Sequence, residues 1–284
     1  MKAFISVDME GGTGVTCPDD CQPGNPRWDY HRRLLTGDVN AAVAGFAQAG
    51  ADEILVTEAH ATHRNLLLDQ LDERASLLIG THKPLGMMEG IDRSPDVAAF
   101  VGYHAGAGTM GVLAHTYLPS QITGVRINGA PASEGRMNAL LAAEYGVPVV
   151  LVTGDDRACA DAANYAPEAI GVAVKTCVDR YSAICLPPTV SAARITDGAA
   201  RALRAASGRV AVGRVAGGPV ATGPYTWEVC FDAAHLPPVC TYIPDVEQID
   251  ELTVRFELAR MYEGIRCFRG LTRLVTSAVE HTYG

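Results

Sequence analysis

No stretch of the 284-residue chain is apolar for long enough to span a bilayer, and the opening MKAFISVDMEGG has neither the apolar centre nor the cleavage site of a signal peptide. A cytoplasmic location is therefore expected. Positive charge is also scarce: 23 Lys and Arg stand against 32 Asp and Glu, giving a formal net charge of -9. Surfaces that collect nucleic acid or anionic lipid concentrate Lys and Arg, so neither partner is expected, and a small molecule or short peptide is the better candidate. The eight cysteines lack regular spacing, which argues against a disulfide framework and fits reduced thiols. Cys17 and Cys21 form the closest pair, CPDDC, but no second pair or neighbouring histidine in the sequence completes a metal site there. A Gly-rich phosphate loop with Lys and Ser/Thr is missing, as are internal repeats and low-complexity segments.

What is present is enough apolar material, 48% of residues with 19% charged, to bury a core without covalent staples. Short β-branched runs alternate with helical patterns through the first 175 residues, the rhythm of a mostly parallel sheet flanked by helices, so the fold class is α/β. Strands are expected at Ala3 to Val7, Glu53 to Thr57, Ala98 to Tyr103, Gly124 to Asn128, Pro148 to Thr153 and Gly171 to Lys175. A helix carrying Leu35, Val39, Val43 and Phe46 on one face should stop at Gly50, and further helices are expected at Glu134 to Tyr145 and Asp155 to Ala163. After Pro187-Pro188 the texture changes to a helix near 190–207, strands with turn residues, and a helix near 253–266. The expected organisation is a metal-binding catalytic region at 1–187 and a smaller C-terminal α+β lobe at 188–284, which packs with the first as one unit or stands apart. The loop from Glu10 to Arg27 is the one long stretch rich in Gly, Pro and Asp, and long loops in compact domains are often functional.

Three expected strands end alike. AFISVDME runs into Asp8 and Glu10, EILVTEAH into His60, and AAFVGYH into His104. In an open α/β sheet ligands bind outside the carboxyl ends of the strands, so these residues can converge from distant parts of the chain. If the first strand continues through Met9, Asp8 and Glu10 project to the same side. Taken singly, each acid can be a loop cap and each histidine a core residue bonded to a carbonyl. Taken together, they would crowd buried polar groups in a way that is costly unless a cation coordinates them, and a mixed oxygen and nitrogen set suits zinc. Glu134 also reads as a helix N-terminal charge, and His115, eleven residues beyond His104 across a Gly-rich segment, also reads as a surface histidine. Asp155 and Asp156 fit helix capping better than substrate binding, while Lys175 and Arg180 are candidates for meeting a substrate carboxylate.

The ordered set SVDMEG, Ala-His before Arg-Asn-Leu, GYHAGAGTMGVLAHTY, the Glu134-to-Asn138 segment and TGDDRA resembles the zinc-dependent D-aminopeptidases encoded with bacterial dipeptide-transport operons, over roughly residues 1–185. The resemblance implies two zinc ions per subunit, with Asp8, Glu10, His60, His104 and Glu134 as ligands, Asp8 shared between the ions, and His115 as the catalytic group. It implies release of N-terminal D-amino acids from short peptides or amides, and a homo-oligomer, a decamer with active sites facing an inner chamber. Glu58 departs from the family pattern, which has Asp two positions before the histidine, and the stretch before Glu134 is one residue longer. Competing readings are a two-metal amidase for a non-peptide or L-configured amide, a phosphoesterase on the same metals, and a non-catalytic α/β ligand-binding protein.

Overall fold

The structure, a computed structural model, describes residues 1–210 and 223–279. In chain order its strands and helices are β1 (Lys2–Val7), α1 (Pro18–Cys21), α2 (Pro26–Gln48), β2 (Glu53–Glu58), β3 (Ala75–Leu78) and β4 (Val97–Tyr103). There follow β5 (Ile122–Ile127), β6 (Ala130–Pro131), α3 (Glu134–Glu144), β7 (Val149–Asp155), α4 (Asp156–Tyr165), β8 (Ile170–Asp179) and β9 (Ser182–Cys185). The chain continues with α5 (Pro188–Val210), β10 (Tyr225–Phe231), α6 (Leu236–Cys240), β11 (Glu247–Gln248), β12 (Thr253–Leu258) and α7 (Met261–Ala278).

The main sheet has seven strands in the order β3-β2-β1-β4-β7-β8-β9, parallel except for the terminal β9. Because β2 and β3 add on one side of β1 and β4 returns on the other, the switch point lies beside β1, where the loops leaving adjacent strands part and open a crevice. Alternation along the strands divides the buried side chains between two cores. Ala3, Ile5 and Val7 join Val39, Phe46 and Leu203 beneath α2 and α5, whereas Phe4, Ala98 and Phe100 join Met137, Leu141 and Phe268 on the other face. Helix α2 starts at an Asn25 cap whose side chain accepts the Arg27 amide, with Pro26 preset for the first turn, and it ends before Gly50, where φ is +97°.

Two expectations change. The strand expected at 124–128 is β5, and it belongs to a second, antiparallel sheet ordered β11-β12-β10-β5-β6. Its exposure alternates, with Ile122, Val125 and Ile127 buried and Thr123 and Arg126 exposed, as befits a sheet with one face to solvent. The helix expected at 253–266 is strand β12 followed by α7: TVRFEL alternates with period two, burying Val254 and Phe256, and the helical pattern begins at Met261. Trp227 of β10 stacks between Phe256 and Phe268, at ring separations of 5.6 and 5.5 Å, and so joins this sheet to α7. The second sheet takes strands from both sides of residue 187, and α5 packs on α2 beneath the main sheet.

Asp8 continues the register of β1 through its amide to Val101 O, and the Gly11 amide then reaches Gly102 O. A Cβ on Gly11 would collide with the Tyr103 carbonyl at the end of β4, whereas one on Gly124 would meet nothing within 4 Å. Gly11→Ala is therefore expected to cost about 1–3 kcal/mol by overpacking and to lower the melting temperature. Gly124→Ala should stay close to wild type, and equal melting temperatures for the two variants would contradict this account of the rim.

Candidate metal centre

The crevice at the switch point brings together Asp8, Glu10, His60, His104, His115 and Glu134. Asp8, Glu10, His104 and Glu134 are buried and His60 and His115 nearly so; Asp8, Glu10, His60, His115 and Glu134 line the floor of a cavity of about 730 Å³, and His104 is buried against them. The first strand does not continue through Met9; it ends at Val7, and a turn closed by Gly12 N to Met9 O brings Glu10 back beside Asp8. His104 directly follows β4, and the Gly-rich segment after it folds back so that the His115 amide donates to Ala105 O. The His104 and His115 rings are consequently stacked, 4.2 Å apart and 5° from parallel. Glu134 is the first residue of α3, after a Ser133 cap, and its Oε1 accepts the Tyr117 amide at 2.7 Å.

Donor atoms face one another across this floor. His60 Nδ1 lies 3.4 Å from Asp8 Oδ1 and 3.0 Å from Glu10 Oε2, while His104 Nε2 lies 3.3 Å from Asp8 Oδ2 and 3.7 Å from Glu134 Oε1. These approaches do not make hydrogen bonds of proper direction for Asp8 Oδ2, Glu10 Oε2 and His104 Nε2, which are buried without a partner. The remaining imidazole nitrogens are committed to backbone carbonyls: His60 Nε2 to Cys21 O at 3.1 Å, His104 Nδ1 to Ala105 O at 2.9 Å, and His115 Nδ1 to Leu113 O at 2.8 Å. A carbonyl can only accept, so each of these nitrogens carries the proton and the opposite nitrogen turns its lone pair to the acids, the arrangement of a histidine prepared for a metal. Asp8, His104 and Glu134 offer one set of converging atoms and Glu10, His60 and Cys21 another, each within 4.8 Å. The two oxygens of Asp8 face one set each. Orphaned buried lone pairs of oxygen and nitrogen fit a divalent cation.

Without a cation, protons carry the positive charge. Burial opposes charging His60, but Glu10 and Asp8 outweigh it and hold its pKa well above the usual value. Burial likewise opposes charging His104, and Glu134 and Asp8 lift it to about 10. Burial pushes Glu134 up to about 7 against the pull of His104, with the repulsion of Asp8 and Glu10 adding to it. Glu10 resists burial through His60 and stays ionised well below the ordinary range. His115 goes the opposite way: burial, then the neighbouring His104 charge, lowers it to about 4 and leaves a neutral ring.

Several residues that hold this floor carry no clear mark in the sequence. Lys175 does not face the cavity as a substrate-binding cation; its Nζ is buried and donates to the carbonyls of Glu10, Gly12 and Val15 at 2.6, 2.9 and 2.7 Å. The signal was a lysine at an inward position of a buried β-branched run. Glu58 does not touch the His60 ring. It accepts Asn65 N at 2.7 Å and Leu66 N, while Asn65 Nδ2 donates to the His60 carbonyl at 2.9 Å, so Glu58 sets the loop on which His60 rides. Asp155 caps α4 as expected, with Oδ1 on Ala158 N, and its Oδ2 also holds Val112 N at 2.7 Å in the segment leading to His115. The CPDDC pair does find a histidine: Cys21 lies beside His60 through the fold, a proximity that spacing along the chain does not reveal.

The sequence profile of the D-aminopeptidase family matches residues 1–270. A D-aminopeptidase of Bacillus subtilis (strain 168) is 38% identical over 209 residues, covering 72% of this chain and 74% of that protein. Among solved structures, the Zn-dependent D-aminopeptidase DppA from Bacillus subtilis, described as a self-compartmentalizing protease, is similar with a TM-score of 0.92 at 29% identity, over 99% of this chain and 100% of its own.

Raised His60 and His104 pKa values mean that a cation must displace protons already in place. Titrating metal-free protein with zinc near neutral pH should therefore release protons, and zinc affinity should fall as pH decreases. Calorimetry in buffers of different ionisation enthalpy measures the release; uptake independent of pH and buffer would contradict the protonated floor.

Proposed function

The chain belongs to the D-aminopeptidase family of metal-dependent peptide hydrolases, and we propose that it uses two zinc ions per subunit to release N-terminal D-amino acids from short peptides or amides. The observation that carries this reading is the set of buried, mutually facing lone pairs at the carboxyl ends of β1, β2 and β4. Asp8, Glu10, His60, His104 and Glu134 are the proposed ligands, with Asp8 shared because its oxygens face different donor sets. Zinc, when bound, supplies Lewis acidity at the scissile carbonyl and lowers the pKa of water from about 16 toward 7.

The chain's own part is orientation and proton movement. The walls of the cavity limit the size of the substrate. His115 is the proposed catalytic group: its Nε2 lone pair looks across the floor at Glu10 Oε1, 3.8 Å away, and Glu134 Oε1, 3.9 Å away, while its Nδ1 proton stays on Leu113 O. The neutral ring takes the proton of the attacking water at Nε2 and returns it to the amine that leaves as the C–N bond breaks.

We further propose a homo-oligomer, a decamer by analogy with the self-compartmentalizing relative, located in the cytoplasm, in which residues 1–187 and 188–284 act as one packed unit. The exposed apolar side chains Val178, Tyr181 and Ile184 at the β8-β9 edge support assembly through that edge. Among the described residues no helix is long and apolar enough to cross a membrane.

His115→Ala should keep its zinc but lose about a hundredfold or more in kcat, the scale of a lost acid-base group; zinc loss in that variant would make His115 a ligand instead. Asp8→Ala should lose both zinc and activity, measured by elemental analysis and peptide hydrolysis. A reconstituted panel of D-Ala and L-Ala dipeptides and amides tests the substrate. Preference for the D-dipeptide is expected, whereas turnover confined to L-configured or non-peptide amides would replace this reading with a two-metal amidase.

A further inference from the structure

The cavity above the acidic floor also contains a cation that no metal ligand engages. Arg269, in the middle of α7, lines it near Thr272 and Arg273. Arg27, Arg33, Arg74, Arg201, Arg255 and Arg260 each pair with a carboxylate, whereas Arg180 and Arg273, which also line the cavity, share the lack of one among the described residues. The Arg269 guanidinium is half-buried and forms no hydrogen bond or ion pair with any described residue. Its donors are therefore open to an anion that enters the cavity.

Its position is built. The side chain lies against Gly86, where φ is +59° and an added Cβ would stand 3.1 Å from Arg269 Cδ and Nε and 3.3 Å from Cζ. On the other side, the preceding Phe268 packs edge-on to Tyr117 at 5.0 Å, and the Tyr117 amide holds Glu134. Arg269 is thus fixed relative to the floor through one short chain of contacts. Its field is felt within the cavity wall: His63, which also lines the cavity, is pushed down to about 3 by burial and by the charges of Lys83 and Arg269.

A short peptide placed for hydrolysis has its amine and scissile carbonyl at the floor, so its C-terminal carboxylate reaches the cavity wall one or two residues away, within about 3.6 Å of chain per residue. A carboxylate that leaves water there needs a cation in the wall. A guanidinium pairs with a carboxylate through two parallel N–H donors. We propose that Arg269 binds the C-terminal carboxylate of the substrate and makes the enzyme selective for free-acid short peptides over amidated or capped ones. This inference rests on the floor being the hydrolytic metal centre.

The test compares D-Ala-D-Ala with its C-terminal amide on zinc-loaded wild type, Arg269→Gln and Arg269→Lys. Wild type should favour the free acid, and Arg269→Gln should reduce that preference in kcat/KM about 10- to 100-fold, mainly through KM, the scale of a lost charge-assisted contact. Arg269→Lys should retain part of it. An unchanged ratio, or equal losses on both substrates, would overturn the assignment, the second marking a structural role. Should wild type hydrolyse neither substrate, the proposed reaction fails on its own, and calorimetric binding of D-Ala-D-Ala still decides about Arg269. At least tenfold weaker binding by Arg269→Gln sustains the carboxylate contact, and equal binding refutes it.

Discussion

Lone pairs that face one another out of water repel, and at the carboxyl rim of this sheet the repulsion has no internal remedy. Asp8 Oδ2, Glu10 Oε2 and His104 Nε2 are buried with no hydrogen-bond partner. Much of the surrounding structure prevents these atoms from relaxing apart. In water they would turn to solvent; here the strands fix their backbones and the carbonyls of Cys21, Ala105 and Leu113 fix the imidazole rings. A site of this kind is stable only with positive charge at its centre, whether as protons on His60 and His104 or as the proposed cations.

Three of the segments that contribute to the floor are each held from behind by a different buried ionisable side chain. Lys175 gathers the carbonyls of the loop bearing Glu10, Glu58 works through Asn65 on the loop bearing His60, and Asp155 ties the segment before His115 to the start of α4. All three act on backbone amides or carbonyls rather than on the metal-facing atoms. They therefore fix geometry without adding charge to the floor itself. The expected cost of losing one is a loosened centre as much as a less stable fold. Helix α7 lines the cavity with Arg269, Thr272, Arg273 and Thr276.

The parallel sheet, its helices and the convergence of Asp8, His60 and His104 were legible because they depend on local pattern: β-branched runs, helical periodicity, and polar residues just past strand ends. Glu134 and His115 were legible only with the family resemblance, since their arrival depends on a turn after β6 and on a folded-back Gly-rich segment. Strand β12 was read as helix because a six-residue alternating segment merges with the start of α7. The roles of Lys175, Cys21 and Arg269 depend on contacts between residues more than thirty positions apart, such as Lys175 with Glu10 and Cys21 with His60, and no spacing rule reports those.

The central claim is that the facing donors of this rim enclose cations. Anomalous diffraction at the zinc edge, from crystals of the full chain grown with zinc, examines it at the atoms concerned. The account predicts two peaks flanking the Asp8 carboxylate, one toward Glu10 and His60 and the other toward His104 and Glu134. An empty crevice in fully zinc-saturated crystals, with metal bound elsewhere, would contradict it.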